Sequence, residues 1–414
     1  MKIGFLTIGT EILLGDTVNT NLTNLGKRLY ENGFKLDIDI TISDQQDEII
    51  NALNFLLKDC DVVITSGGLG PTEDDITKET ISESLSLELE LDDDHLEWMK
   101  ERWKARGLIM PDTNIKQAYI PVGSEKLTNT QGTAPGIKIN HDNKFIFIFP
   151  GPPREFIPLV EDELIPFLSK NYEKENTDYQ FVMFFNQAES SLAAEIDKFK
   201  PEGLDIAYLA SKGIIKLRFD KNSVSNDQSD MFLQKIGETF EDDILSYENI
   251  AVEKVLGNLI SESKLQISFA ESITGGLISS SLVKNPGISK YFIGSDIVYT
   301  NESKKILLND ENINFDDWEE LTYNLTESSL NKYKSNIALT ILGEAGPISS
   351  SQYPVGTIFI CISNGKKTVI SDHKMNGNRA EILERAANKA QWELIKFIKN
   401  EFNQFPLSFI CCSF

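Results

Sequence analysis

The chain has 414 residues, 41% hydrophobic and 25% charged, which is enough material for two or three cores and unlike a disordered chain. Its formal charge of −23 argues against direct binding to nucleic acid or to anionic membranes. A phosphate-bearing ligand would have to be drawn in locally, by backbone N–H groups, a metal or a few basic side chains.

Residues 1–168 alternate strand and helix. "KIGFLTIG" reads as a short buried strand, too broken for a signal peptide. A helix over Asn21–Glu31 follows, then strand "FKLDIDI", helix "DEIINALNFLL" and strand "DVVITSGG", stopped by glycines. Helical segments near Asp75–Ser86 and His95–Arg106 precede a last strand, "KFIFIFPGPP", which ends in a Pro/Gly turn. The polar run "SKNYEKENTD" reads as a linker. The order strand, helix, strand, strand, helix then fills 169–248 as a small α+β unit with no cluster of reactive side chains. From about Asn249 the alternation returns and closes on a long helix, Arg379–Asn400. The expected fold class is α/β: two three-layer α/β domains with mostly parallel sheets, 1–168 and 249–402, joined by a small α+β (βαββα) middle domain. An apolar tail, 403–414, ends in Cys411-Cys412-Ser413-Phe414, which sits where a prenylation box would but lacks its aliphatic residues. No run approaches the roughly 20 apolar residues of a membrane span, so a cytoplasmic protein without membrane partners is expected.

The strand "DVVIT" opens into Gly67-Gly68-Leu69-Gly70-Pro71-Thr72-Glu73-Asp74-Asp75. A glycine loop between a strand end and a helix start offers clustered N–H donors for phosphate, here Gly67, Gly68 and Gly70. Thr72 with Asp75 reads as a capping box. Three acids beside an anion loop make sense if a cation lies between, which points to a metal-bridged pyrophosphate with Asp74, Asp75 and Glu11 as ligands. The alternative is that the acids only cap a helix dipole. Four cysteines and three scattered histidines, His95, His141 and His373, lack zinc spacing, so the metal would be a hard cation. Arg154, in the loop after the last strand, is a further phosphate partner.

In the C-terminal region, strand "LQISFA" opens into Glu271-Ser272-Ile273-Thr274-Gly275-Gly276. Thr274 with the Gly275 and Gly276 amides reads as a second anion cradle, and Ser272 as a nucleophile. With no histidine near, Lys304 is the candidate base and Tyr299 the group that orients or polarises; Thr274 remains an alternative nucleophile. Gly346 and Arg379 could complete the site. The alternative is a capping Ser272 and a solvated Lys304.

These strings resemble one family. Gly9-Thr-Glu-Ile-Leu-Leu-Gly15, Gly67-Gly-Leu-Gly-Pro-Thr72 with Asp74-Asp75, Arg106-Gly107 with Met110-Pro111, Gly132-Thr-Ala-Pro-Gly136 and Pro150-Gly-Pro-Pro-Arg-Glu155 resemble the MoCF/MogA-like molybdopterin-binding domain of the CinA family. Ala270–Gly276, Tyr299–Lys304, Ala345–Pro347 and Pro354–Thr357 resemble its C-terminal domain. The resemblance implies a bifunctional pyridine-nucleotide salvage enzyme. Its N-terminal activity would be divalent-metal-dependent hydrolysis of ADP-ribose, and its C-terminal activity the deamidation of nicotinamide mononucleotide without a cofactor. It also implies a homodimer. Glu344 departs from the family by standing where a small apolar residue is usual, and Ile348-Ser349-Ser350 replaces Asp-Gly-Gly. The rival readings are a molybdopterin-binding or adenylyl-transferring protein, and a non-catalytic partner in competence or DNA damage.

Overall fold

The first strand, Ile3–Ile8, is buried along its whole length. It pairs in parallel with Ile38–Ile42 on one side and Val62–Ser66 on the other, and Val62–Ser66 pairs in parallel with Lys144–Phe149. Gly136–His141 and Glu125–Leu127 extend this six-stranded sheet antiparallel. The central strands are buried and mostly apolar because both faces are covered. Leu25, Leu29, Phe156 and Leu164 lie on one face, and Ile49, Leu53, Leu56 and Ile81 on the other. The computed structural model describes residues 1–174 and 178–402, and these form two compact units.

Two expectations for the first unit are corrected. The strand anticipated over "FKLDIDI" lies further on, at Ile38–Ile42. The helix anticipated from Asp75 is Thr77–Ser84, with Ile76 as its N-cap and no side-chain cap. Thr72 therefore caps nothing. Its hydroxyl donates to the Asp75 carboxylate at 2.5 Å, its N–H donates to the same oxygen at 3.0 Å, and the chain makes a further turn before Thr77.

The second unit holds two sheets. Ile206–Ser211, Ile214–Asp220, Tyr179–Phe185 and Ile244–Ser246 form an antiparallel sheet, adding a short strand to the anticipated βαββα. Alternation along Tyr179–Phe185 serves two cores. Val182 and Phe184 pack with the helices Glu189–Ile196 and Asn226–Phe240, whereas Met183 and Phe185 join the core of the following α/β layers. There Phe185 stacks on Trp392 at 5.5 Å between ring centroids.

The second sheet runs Phe292–Ile297, Ile267–Glu271, Ile337–Gly343, Thr357–Ser363 and Thr368–Lys374; the first three strands are parallel and the last two antiparallel. The helices Val252–Ser263 and Arg379–Glu401 cover one face. Trp318–Tyr333, a helix not anticipated from the sequence, packs on the other. Its buried face carries Thr322, Thr326 and Ser329 among the leucines, which blurs the apolar period. No helix among the described residues is long and apolar enough to cross a membrane. The 403–414 tail and its terminal cysteines lie outside the described residues.

Candidate active sites

The carboxyl ends of the parallel strands in the first unit open onto a cavity of about 740 Å³. An open α/β sheet places ligands at this edge. The loop after Val62–Ser66 forms its floor. Gly67 has φ 112 and Gly68 φ 66, and a Cβ at Gly67 would overlap the Ile8 carbonyl oxygen, so only glycine lets these two strand ends approach. The Gly67 amide is already used by the Phe149 carbonyl, at 3.1 Å. The Gly68, Leu69 and Gly70 amides donate to no group among the described residues. Three consecutive free N–H groups on a cavity floor suit an anion.

Two neighbouring side chains anchor the loop. Lys116 donates to the Thr72 and Asp75 carbonyls at 2.8 and 2.6 Å, and Gln117 donates to the Leu69 carbonyl at 3.1 Å. Asn21 ties neighbouring strand ends together by donating to Ser66 Oγ and the Gly151 carbonyl. Buried Asn129 gathers the opposite wall through Ala134, Gln131, Gly132 and the Glu155 carboxylate.

Glu11, Asp74, Asp75 and Arg154 line the same cavity; Thr72 does not. The Thr72 hydroxyl, followed by Asp74's own backbone, holds the Asp74 carboxyl below its ordinary value. No three His, Cys, Asp or Glu side chains gather as a metal cage among the described residues. Asp75 has one oxygen committed to Thr72, so the acids offer one or two ligands rather than three. That is the usual protein share for a magnesium-type ion held jointly with substrate phosphates. Arg102, Trp103 and Arg106 also line the cavity, and sequence reasoning missed them as site residues. They sit at and just after the end of Asp93–Lys104, and the only signal was the Arg106-Gly107 string.

A second cavity, of about 540 Å³, lies at the strand ends of the five-stranded sheet. Ser272, Tyr299, Lys304, Gly346 and Arg379 all line it. Lys304 is 7% exposed and its ammonium has no hydrogen-bond or ion-pair partner among the described residues. Burial alone lowers its pKa from the ordinary lysine value. Ser272 is 7% exposed, and its N–H donates to the Ile341 carbonyl at 3.0 Å. The two side chains share the cavity without a hydrogen bond between them. Arg379 bridges two walls, donating to Tyr299 Oη at 2.7 Å and to the Gly346 carbonyl at 2.5 Å.

Thr274, Gly275 and Gly276 do not line this cavity. The cradle anticipated there is not open: the Gly275 N–H donates to the Ser272 carbonyl at 3.1 Å, and the Thr274 hydroxyl is taken by Glu271. Glu271, fully buried, accepts from Thr274 Oγ1 (2.7 Å), the Ile278 and Ser279 amides (3.0 and 2.9 Å) and Ser279 Oγ (2.5 Å). This carboxylate occupies the amides of the first helical turn, Ile278 and Ser279, and it also engages the Thr274 hydroxyl. Asn301, Asp316, Trp318, Glu344, Ser350 and Ser351 also line the cavity. Of these, only Glu344 and Ser350 stood out in the sequence.

Residues 4–170 match a family described as a probable molybdopterin binding domain, and residues 249–398 match the CinA C-terminal domain. A protein of Caldicellulosiruptor bescii, provisionally named competence-damage inducible, is 34% identical over 94% of this chain and 97% of its own length. A CinA-like protein of Dictyoglomus thermophilum is 33% identical over 92% of this chain and 95% of its own. The solved CinA protein of unknown function from Thermoplasma acidophilum is 34% identical, covering 41% of this chain and 96% of its own, with a TM-score of 0.37.

Glu271→Gln would turn an amide donor toward groups that are themselves donors. Its expected cost is about 1.5–3 kcal/mol of unfolding free energy, read from the midpoint of denaturant unfolding followed by circular dichroism. An unchanged midpoint would contradict the role given to this carboxylate.

Proposed function

The chain belongs to the CinA family, and from that premise we propose that it is a hydrolase with two sites, a C-terminal amidohydrolase of nicotinamide mononucleotide and an N-terminal pyrophosphatase of ADP-ribose. One observation carries the first reading: a buried lysine without a partner shares a cavity with a buried serine. A lysine desolvated in this way gives up its proton more readily and can act as a base near neutral pH.

Ser272 Oγ attacks the carboxamide carbon as its proton passes to Lys304. The C–N bond then breaks, and the leaving nitrogen takes that proton to depart as ammonia. Water, activated in turn by Lys304, hydrolyses the ester on Ser272 and yields the carboxylic acid. Tyr299 Oη accepts from Arg379, which leaves its own O–H to donate to the substrate. Because Glu271 fills the helix amides, the substrate phosphate falls to Arg379 and the loop around Gly346.

In the N-terminal cavity the free amides of Gly68, Leu69 and Gly70, with Arg102, Arg106 and Arg154, would hold the pyrophosphate. Asp74 and Asp75 would hold a divalent ion, which when bound neutralises phosphate charge. Water attack on one phosphorus then gives AMP and ribose 5-phosphate.

Lys304→Ala is expected to slow ammonia release from nicotinamide mononucleotide by about 10²–10⁴-fold while leaving ADP-ribose cleavage intact. Lys304 must be neutral to accept the proton, so the wild-type rate should rise with pH and level off below the ordinary lysine range. A rate that is flat with pH, or insensitive to the substitution, would rule Lys304 out as the base. Asp74→Asn with Asp75→Asn is expected to abolish ADP-ribose cleavage. Cleavage by that variant in the presence of a chelator would rule out the metal-bridged scheme.

A further inference from the structure

Glu344 has no part in the reaction above, yet its side chain lies beside it. It is the first residue past strand Ile337–Gly343, and Ser272 is the first past the paired strand Ile267–Glu271. Ile273 packs so closely on Gly343 that a Cβ there would overlap it, which holds the two strand exits together. Glu344 is 8% exposed and lines the cavity. Its Oε2 accepts from the Ser350 N–H and Oγ, both at 3.0 Å, and from Ser351 Oγ at 3.3 Å. Its Oε1 accepts from no group among the described residues, and no cation pairs with it. The loop at Ser350 and Ser351 thus donates to one oxygen of Glu344, and the carboxylate keeps one open acceptor.

Lys304 is not the partner of that acceptor: the two side chains line the same cavity with no hydrogen bond or ion pair between them among the described residues. The open oxygen is therefore left for the ligand. An amide substrate and its acid product are nearly isosteric, so shape separates them poorly. They differ in that the amide carries N–H donors, whereas the acid carries a negative charge and no donor. An acceptor-only carboxylate tells them apart on both counts.

We propose that Glu344 is a specificity-determining residue: Oε1 accepts an N–H of the substrate carboxamide, and its charge repels the carboxylate product. The proposal rests on the amidohydrolase reading of this cavity. Glu344 then favours product departure as well as substrate choice. Glutamine in its place would remove the repulsion and present an amide N–H to the product.

The test uses the full chain with Ser272→Ala to stop turnover. Binding of nicotinamide mononucleotide and of the corresponding acid is measured by titration calorimetry, with and without Glu344→Gln. The wild-type side chain should prefer the amide. Glu344→Gln should reduce the amide-to-acid affinity ratio by about tenfold or more, since the like-charge repulsion is removed. Glu344→Asp, which keeps the charge, should preserve the preference, and thermal melting checks that each variant folds. An unchanged ratio, or no binding of either ligand, overturns the proposal. Ammonia release by the wild type is assayed alongside. Its absence sinks the amidohydrolase reading, whereas a shifted ratio would still establish selection of amide over acid.

Discussion

At the end of strand Ile267–Glu271 a carboxylate lies wholly out of water and accepts from Thr274, Ile278 and both donors of Ser279. An ionised group can be buried like this only if donors replace its hydration. Here the donors include the free amides at the start of helix Leu277–Leu282, so one interaction satisfies the acid and the helix end together. Much of the C-terminal site follows from it. Ser272 is the next residue, held between this fixed carboxylate and the neighbouring strand, and its side chain emerges into the cavity. The same bonds occupy the Ile278 and Ser279 amides at the helix terminus, which is why Arg379, across the cavity, is the proposed phosphate partner.

The two units use one local design for opposite ends. Each has a loop running from a parallel strand to a helix. In the first, Gly68, Leu69 and Gly70 leave their amides open over a cavity, and the acids stand at its rim. In the second, the acid has moved inside and quenches the amides of the first helical turn, and a serine and a desolvated lysine are the groups proposed to react. Glycine-rich loops at strand ends are therefore not interchangeable. Which groups satisfy their N–H donors decides whether such a loop keeps amides open to an anion.

The fold was largely legible because its central strands, such as Ile3–Ile8 and Val62–Ser66, are short, mostly apolar runs stopped by glycine. Trp318–Tyr333 escaped notice because buried hydroxyls, Thr322 and Thr326 among them, hydrogen-bond to their own helix and so look polar in sequence. Ser272, Lys304, Tyr299 and Arg379 could be named from type and spacing, and the structure gathers them. The fate of the Thr274 cradle could not be foreseen, because Glu271 reads as a strand residue until its side chain is seen to turn back onto the helix. Arg102 and Arg106 were hidden for a similar reason, since the sequence does not show which face of Asp93–Lys104 meets the cavity. Glu344 and Ser350 looked like two separate irregularities, and only their hydrogen bonds make them one feature.

Ser272 is the covalent nucleophile of the proposed reaction, and intact-mass spectrometry of the chain quenched with acid during turnover of nicotinamide mononucleotide tests this directly. The expected result is a mass increase equal to the nucleotide's acyl group less one hydrogen, located on the peptide containing Ser272 and absent from Ser272→Ala. Ammonia release that continues in Ser272→Ala, or steady turnover with the adduct on another residue, would contradict it.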